Sequence, residues 1–246
     1  MERYIIPSVY QAIQLCRTLG DAEYGMTSLA LEEQLQLPRS SVFRLLKTLC
    51  SERLIEKRGT RYYLANGMYG IGGAAPRLQK FQRLLAAPLT ALTGDTTHTA
   101  ILCVPADNCA VAADVFCSNS HRLSAIRPGM QLSLTGSAPG HIMLAYHPRY
   151  RDESSLNIAE LDSRRVMKLA AQTCTRGFAV SDAPAGKGQL VSVPVLASDG
   201  ELLAMLCLEL DEHHGDAELL SHWAGKLKPV AALPAAICTQ NKKEAG

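Results

Sequence analysis

Residues 27 to 64, TSLALEEQLQLPRSSVFRLLKTLCSERLIEKRGTRYYL, leave few folds open. Thr27 suits the N-cap of a first helix whose apolar positions are Leu31 and Leu35. Leu37-Pro38 ends that helix, and Pro38 fits the opening turn of the next. In the second helix Val42, Leu45, Leu46 and Leu49 recur at helical spacing and predict one buried stripe. Ser40, Arg44 and Lys47 share another face, polar, cationic and rich in donors. LIEKRGTRYYL then reads as a strand, an Arg58-Gly59 turn and a second strand. A helix, a turn, a polar-faced helix and a basic hairpin in that order predict a winged helix-turn-helix. Such a unit places its second helix in a major groove. Ser40 and Ser41 lie near a helix N-terminus, where free N–H groups favour phosphate.

Charge is local in the same way. From residue 37 to 61, Arg39, Arg44, Lys47, Arg53, Lys57, Arg58 and Arg61 face only Glu52 and Glu56, a net +5. The whole chain carries +2, so the remainder sums to −3. A basic patch on a near-neutral chain is an electrostatic footprint for nucleic acid. Any one of these cations by itself would be an ordinary solvated surface charge.

The 246 residues, 47% of them hydrophobic, suffice for two cores. No apolar run reaches the length of a membrane span, and MERYIIPSVY lacks the apolar region of a signal peptide. A soluble, cytoplasmic chain is expected. The eight cysteines form no CxxC pair, so no metal site is predicted. Cys16, Cys103 and Cys207 stand in apolar runs and read as small buried hydrophobes. A redox role would fall to Cys109 or Cys117. No cofactor is predicted.

Along the chain, SVYQAIQLCRTL reads as a helix capped by Ser8, with Val9, Ile13 and Cys16 or Leu19 closing over the helix-turn-helix. After the hairpin, NGMYGIGGAAP reads as a hinge or broken helical turn. RLQKFQRLLAAPLTALTG reads as a linker helix interrupted or bent at Pro88, with Leu78, Phe81, Leu85, Leu89 and Leu92 along one stripe. That stripe needs a partner, either the second domain or the same helix of another subunit. From Thr97 the pattern changes. THTAILCVP and NCAVAADVF predict two strands, and RLSAIRPG a third. SAPGHIMLAYHP and ELDSRRVMKLAAQTCTRG predict helices, the latter closed by Gly177. FAVSD, QLVSVPVLA and ELLAMLCLEL predict strands, the last two joined by a Ser198-Asp199-Gly200 turn. The C-terminal stretch reads as helix with proline breaks. The expected fold is α+β, with a DNA-binding domain over 1–66, a hinge and linker helix over 67–93, and a sensor-like domain over 94–246.

These segments resemble the IclR family of bacterial transcription regulators over nearly the whole chain. The resemblance rests on LPRSSVFRLLKTL, RGTRYYLANG, TGDTTHTAILC, IRPGMQLSLTGSAPGHIMLA, RGFAVSD and SVPVLASDGELLAMLCLEL. It implies a GAF-like effector-binding domain, a homodimer or dimer of dimers, and a regulator, often a repressor, that answers to a small molecule. By position it implies DNA contacts from Arg39, Ser40, Ser41, Phe43, Arg44 and Lys47, with wing support from Arg58 and Arg61. The effector pocket would be lined near Ala138, Pro139, Gly140, Ser181, Asp182, Val191, Cys207 and Glu209.

The chain departs from the family at several of these places. Glu32 stands where a small alanine is usual, and Gln36 where a turn glycine is usual, so the angle between the two helices is open to change. Pro139 removes a backbone N–H from the pocket, and His141 replaces a common lysine. Glu209, where a serine is usual, faces either the pocket or solvent. If inward, it favours a neutral or cationic polar metabolite over a simple carboxylate. Two rivals remain. One is a DNA-binding dimer whose second domain takes no ligand. The other is an enzymatic second domain using Asp114, His98, His121 or His141, none of which falls in a recognisable catalytic spacing. No catalytic residue is assigned.

Overall fold

The protein is described by a computed structural model over residues 4–22, 24–72, 76–94, 96–117, 124–150, 163–184, 188–210 and 216–244. It divides into two compact units, Met1–Pro76 and Arg77–Gly246. In the first, α1 (Pro7–Asp21) precedes β1 (Met26–Thr27), α2 (Ser28–Leu35), α3 (Arg39–Ser51), β2 (Ile55–Arg58), β3 (Arg61–Leu64) and α4 (Gly67–Gly72). The strands form a small antiparallel sheet in the order β1-β3-β2. Leu15, Leu19, Leu31, Val42, Leu46, Leu49 and Ile55 make one buried cluster, which ties α1, α2, α3 and β2 together.

The local signals explain these elements. The Thr27 side chain accepts from the Ala30 amide at 3.2 Å and so caps α2. Gln36 ends α2 in the left-handed region at φ 52°, where the turn requires it. Pro38, extended at φ −58° and ψ 140°, is the N-cap of α3. Arg53, at φ 59°, closes α3, and the Leu54 amide returns to the Leu49 carbonyl at 3.0 Å.

Two expectations fail in this unit. Helix α1 starts at Pro7 rather than after Ser8, because proline is preorganised for the first helical position. Its buried face is Leu15 and Leu19, while Val9 and Ile13 are exposed. The hairpin turn lies at Gly59-Thr60 rather than Arg58-Gly59, since Arg58 pairs with Arg61. Gly59 has φ +60°, which suits the first central position of a two-residue hairpin loop.

The second unit contains α5 (Pro76–Thr93), β4 (Thr99–Pro105), β5 (Cys109–Phe116), β6 (Gln131–Ser133), α6 (Ala138–Tyr146), α7 (Ser163–Arg176), β7 (Ala179–Asp182), β8 (Gln189–Leu196), β9 (Leu202–Leu210) and α8 (Ala217–Glu244). Its sheet runs β6-β5-β4-β9-β8-β7, every pairing antiparallel. Strand alternation divides the core in two. Leu206, Leu208 and Leu210 of β9 join Phe81, Leu85, Leu89, Trp223 and Leu227 of α5 and α8. Met205 and Cys207 join Ala138, Ile142 and Met143 of α6 on the other face. Phe81, Leu85, Leu89 and Leu92 of the stripe on α5 are thus packed within the second unit, and the Leu78 side chain lies outside the described residues. No helix among the described residues is long and apolar enough to cross a membrane.

Three readings change here. Residues 124–129 of RLSAIRPG are not a strand; the third strand is β6, beyond the Pro128-Gly129 turn (Arg122 and Leu123 lie outside the described residues). Helix α5 is not interrupted at Pro88, and α8 runs through Pro229 and Pro234. Packing of Leu85 and Leu89, and of Leu227 and Ala231, outweighs the local cost of those prolines.

Candidate nucleic-acid interface

Helix α3 has two unlike sides. Val42, Leu46 and Leu49 are buried and Leu45 half-buried. Arg39, Ser40, Phe43, Arg44, Lys47 and Thr48 are exposed, and Ser41 is half-buried beside them. At 3.6 residues per turn, Ser40, Phe43, Arg44 and Lys47 fall within an arc of about 100°. The Ser41 and Val42 amides both turn back to the Pro38 carbonyl, at 2.8 and 3.1 Å. The first two amides of α3, on Arg39 and Ser40, have no intrahelical acceptor, and Pro38 offers no side-chain cap.

The hairpin carries its own cations. Arg58 and Arg61 are directly opposed across the tip, an arrangement that is repulsive unless something negative lies nearby. Arg58 pairs with Glu56, and its guanidinium stands 5.1 Å from the Tyr63 ring centre. Lys57 stands 5.6 Å from the Tyr62 ring centre. Arg61 donates to the Gly25 carbonyl at 2.9 Å, so one arm of its fork ties β3 to the turn before β1. Both wing arginines are exposed, and each already has a partner within the unit.

The second unit gathers most of the predicted effector residues on the α6 face of the sheet. Ser181, Leu190, Glu209 and Thr99 are consecutive cross-strand partners from β7 to β4. Glu209 is only 5% exposed and shares the face of Met205 and Cys207. It therefore faces inward, with its carboxylate accepting from the Ser124 hydroxyl. Cys207 stands 3.3 Å from the Ser192 hydroxyl and 3.8 Å from the Cys103 sulfur. That contact with Cys207, together with burial, holds the Cys103 thiol well above its ordinary range. Reactive-thiol chemistry is disfavoured there.

Val191 does not join this group. It packs in the cluster of α5 and α8, and Leu190 and Ser192 occupy the α6 face in its place. Asp182, exposed, follows the alternate row with Gln189 and Leu210.

The start of α6 is closed by its own chain. Ser137 caps the helix by accepting from the Gly140 amide at 3.2 Å. The His141 amide returns to the Ser137 carbonyl at 3.0 Å. The Ala138 amide donates to the Ser181 hydroxyl at 2.9 Å, and Pro139 has no N–H to give. A Cβ on Gly140 would stand 2.3 Å from the carbonyl oxygens of Ser133 and Leu134, so the helix start is pressed against that loop. His141 Nε2 lies 2.8 Å from the Thr135 carbonyl. Ser124 and Ser137 were not singled out from sequence. Serine three residues before Gly140, ahead of an apolar run, was the available sign of a cap. A cavity of about 380 Å³ lies elsewhere, lined by Pro194, Leu196, Lys228 and Ala231 among others, and none of the predicted effector residues lines it.

Comparison with known proteins agrees with the fold. The IclR helix-turn-helix domain matches residues 8–59. No curated protein sequence matches the chain significantly. Among solved structures, an IclR transcriptional regulator from Alicyclobacillus acidocaldarius is similar at 23% identity and TM-score 0.77, over 95% of this chain and 99% of that one. One from Brucella abortus is similar at 16% identity and TM-score 0.72, over 96% and 94%. An IclR homologue from Microbacterium hydrocarbonoxydans, complexed with 4-hydroxybenzoate, is similar at 16% identity and TM-score 0.71, over 93% and 98%.

Proposed function

We propose that the chain is an IclR-type transcriptional regulator, a reading supported by the match of its helix-turn-helix domain and the likeness of its fold, and that as a homodimer or dimer of dimers it grips a duplex operator, under the control of a small polar metabolite. The observation that carries the first part is the exposed Ser40, Phe43, Arg44 and Lys47 face of α3, beside a hairpin whose tip opposes Arg58 and Arg61. Arg44 suits a base edge, because its planar fork matches guanine in the major groove. Arg39, Ser40 and Ser41 flank the open helix start, where phosphate fits. Lys47, Arg58 and Arg61 add cations for the backbone.

An exposed apolar stripe supports assembly with a second copy. Ile6, Val9, Tyr10 and Ile13 of α1 and its N-cap are spaced for one helix face, and all four are exposed. A dimer seated on its operator blocks that stretch of duplex by occupancy alone, so we assign repression as the sign. Such a protein works where the chromosome is, in the cytoplasm, and needs no catalytic group.

The Microbacterium homologue holds 4-hydroxybenzoate, which supports an effector role for the second unit by likeness of fold. The chemistry of this chain's own site supports a different ligand. The α6 amides are spent internally, and the nearby carboxylate is Glu209. A neutral polyol or a cationic amine fits those groups better than a simple carboxylate.

The test of the operator reading is binding to duplexes selected from a randomised pool. Arg44→Ala should cost about 1–3 kcal/mol on the selected sequence. Lys47→Ala should weaken all sequences evenly and lower the salt slope by about 1. Unchanged affinity in the double variant overturns the assignment.

A further inference from the structure

The four phenylalanines of the chain are placed very differently. Phe81 is buried in the cluster of α5, α8 and the sheet, and Phe116 and Phe178 pack against that same cluster. Phe43 is 64% exposed and belongs to no core. It stands mid-helix on α3, between Ser40 one turn before and Lys47 one turn after, with Arg44 next to it. An aromatic ring held in water among cations loses apolar burial and gains nothing within the fold. The surrounding charge says what covers it: a polyanion that also presents apolar groups at the depth a helix face reaches.

In the major groove of DNA that apolar group is the C5-methyl of thymine. Resting on the operator reading above, we infer that Phe43 reads a thymine methyl in each half-site. The position follows from helix geometry. Phe43 and Arg44 differ by about 1.5 Å along the helix axis, less than the rise of about 3.4 Å between base pairs. Their tips diverge by about 100° around the axis. With side chains reaching several Å from the axis, that divergence separates the tips by roughly 10 Å, so the thymine lies within about three base pairs of the one that Arg44 reads.

The experiment uses the full-length protein and a duplex selected from a randomised pool. Each thymine is replaced in turn by deoxyuridine, which pairs identically and lacks only the methyl. One thymine per half-site, within about three base pairs of the Arg44 contact, should cost wild type about four-fold in affinity on replacement, the worth of one buried methyl. Phe43→Ala should lose at least that much on the thymine duplex and lose nothing further at that position on deoxyuridine. Phe43→Leu, which keeps an apolar tip, should retain part of the discrimination. Circular dichroism matching wild type shows that the exposed site tolerates both changes.

Silence at every deoxyuridine position overturns the inference while leaving the operator reading intact, provided Arg44→Ala still loses affinity. A deoxyuridine effect that persists undiminished in Phe43→Ala also overturns it. A Phe43→Ala loss with no deoxyuridine effect means the ring lies on sugar or phosphate, and the thymine assignment falls. Failure to enrich any duplex removes the operator reading itself.

Discussion

Replacing Gln36 by glycine should stabilise the first unit. Gln36 holds φ 52° and ψ 40° at the end of α2, where an L-residue with a Cβ pays about 1–2 kcal/mol. Glycine removes that strain and costs about 0.5–1 kcal/mol in extra freedom of the unfolded chain. The Gln36 side chain is exposed, and the stabilising bond of this turn is its backbone amide to the Glu32 carbonyl, which glycine keeps. The net gain lies between about 0 and about 1.5 kcal/mol, with about 0.7 kcal/mol at the middle. Amide hydrogen exchange of α2 and α3 reads it directly, as protection raised about two- to five-fold at those positions. Gln36→Ala should change little, because alanine carries the same Cβ. Exchange equal in Gln36→Gly and Gln36→Ala would refute the reasoning, since strain could not then be the difference. Operator affinity should be kept in the glycine variant, because the turn already has the conformation that glycine prefers.

Two further outcomes follow from the second unit. Gly140→Ala should destabilise it by several kcal/mol, because the new methyl would overlap two backbone oxygens at 2.3 Å; Gly225→Ala, with open space around it, is the control in thermal melts. In calorimetry against matched organic acids, polyols and amines, Glu209→Ser should gain affinity for simple carboxylates and lose it for amines; a carboxylate bound tightly by wild type and no better by the variant would sink that choice of ligand class.

What the sequence discloses depends on the range of the interaction. The Thr27 cap, the turn at Pro38 and the Val42-Leu46-Leu49 stripe are set by neighbours within one or two helical turns, so they are legible. Helix α1 carries two apolar stripes, one through Val9 and Ile13 and one through Leu15 and Leu19. Periodicity cannot say which meets the core, because the partner surface comes from α2, α3 and β2. The prolines of α5 and α8 mislead for the same reason, since distant packing overrides a local preference. In the candidate pocket, the orientations of Val191 and Glu209 follow from pairing with β4, β7 and β9. A shift of one residue would exchange their faces. The residue types were legible there, and the side they face was not.

The opposed arginines at the hairpin tip make ionic strength matter more to the bound state than to the free one. In the free hairpin, added salt screens both the repulsion between Arg58 and Arg61 and the attraction between Arg58 and Glu56, so the two effects offset. The same counterions compete with a phosphate for that tip. A duplex would therefore hold the tip hardest in dilute buffer, and a phosphate seated there adds a second negative charge to the one that Glu56 supplies.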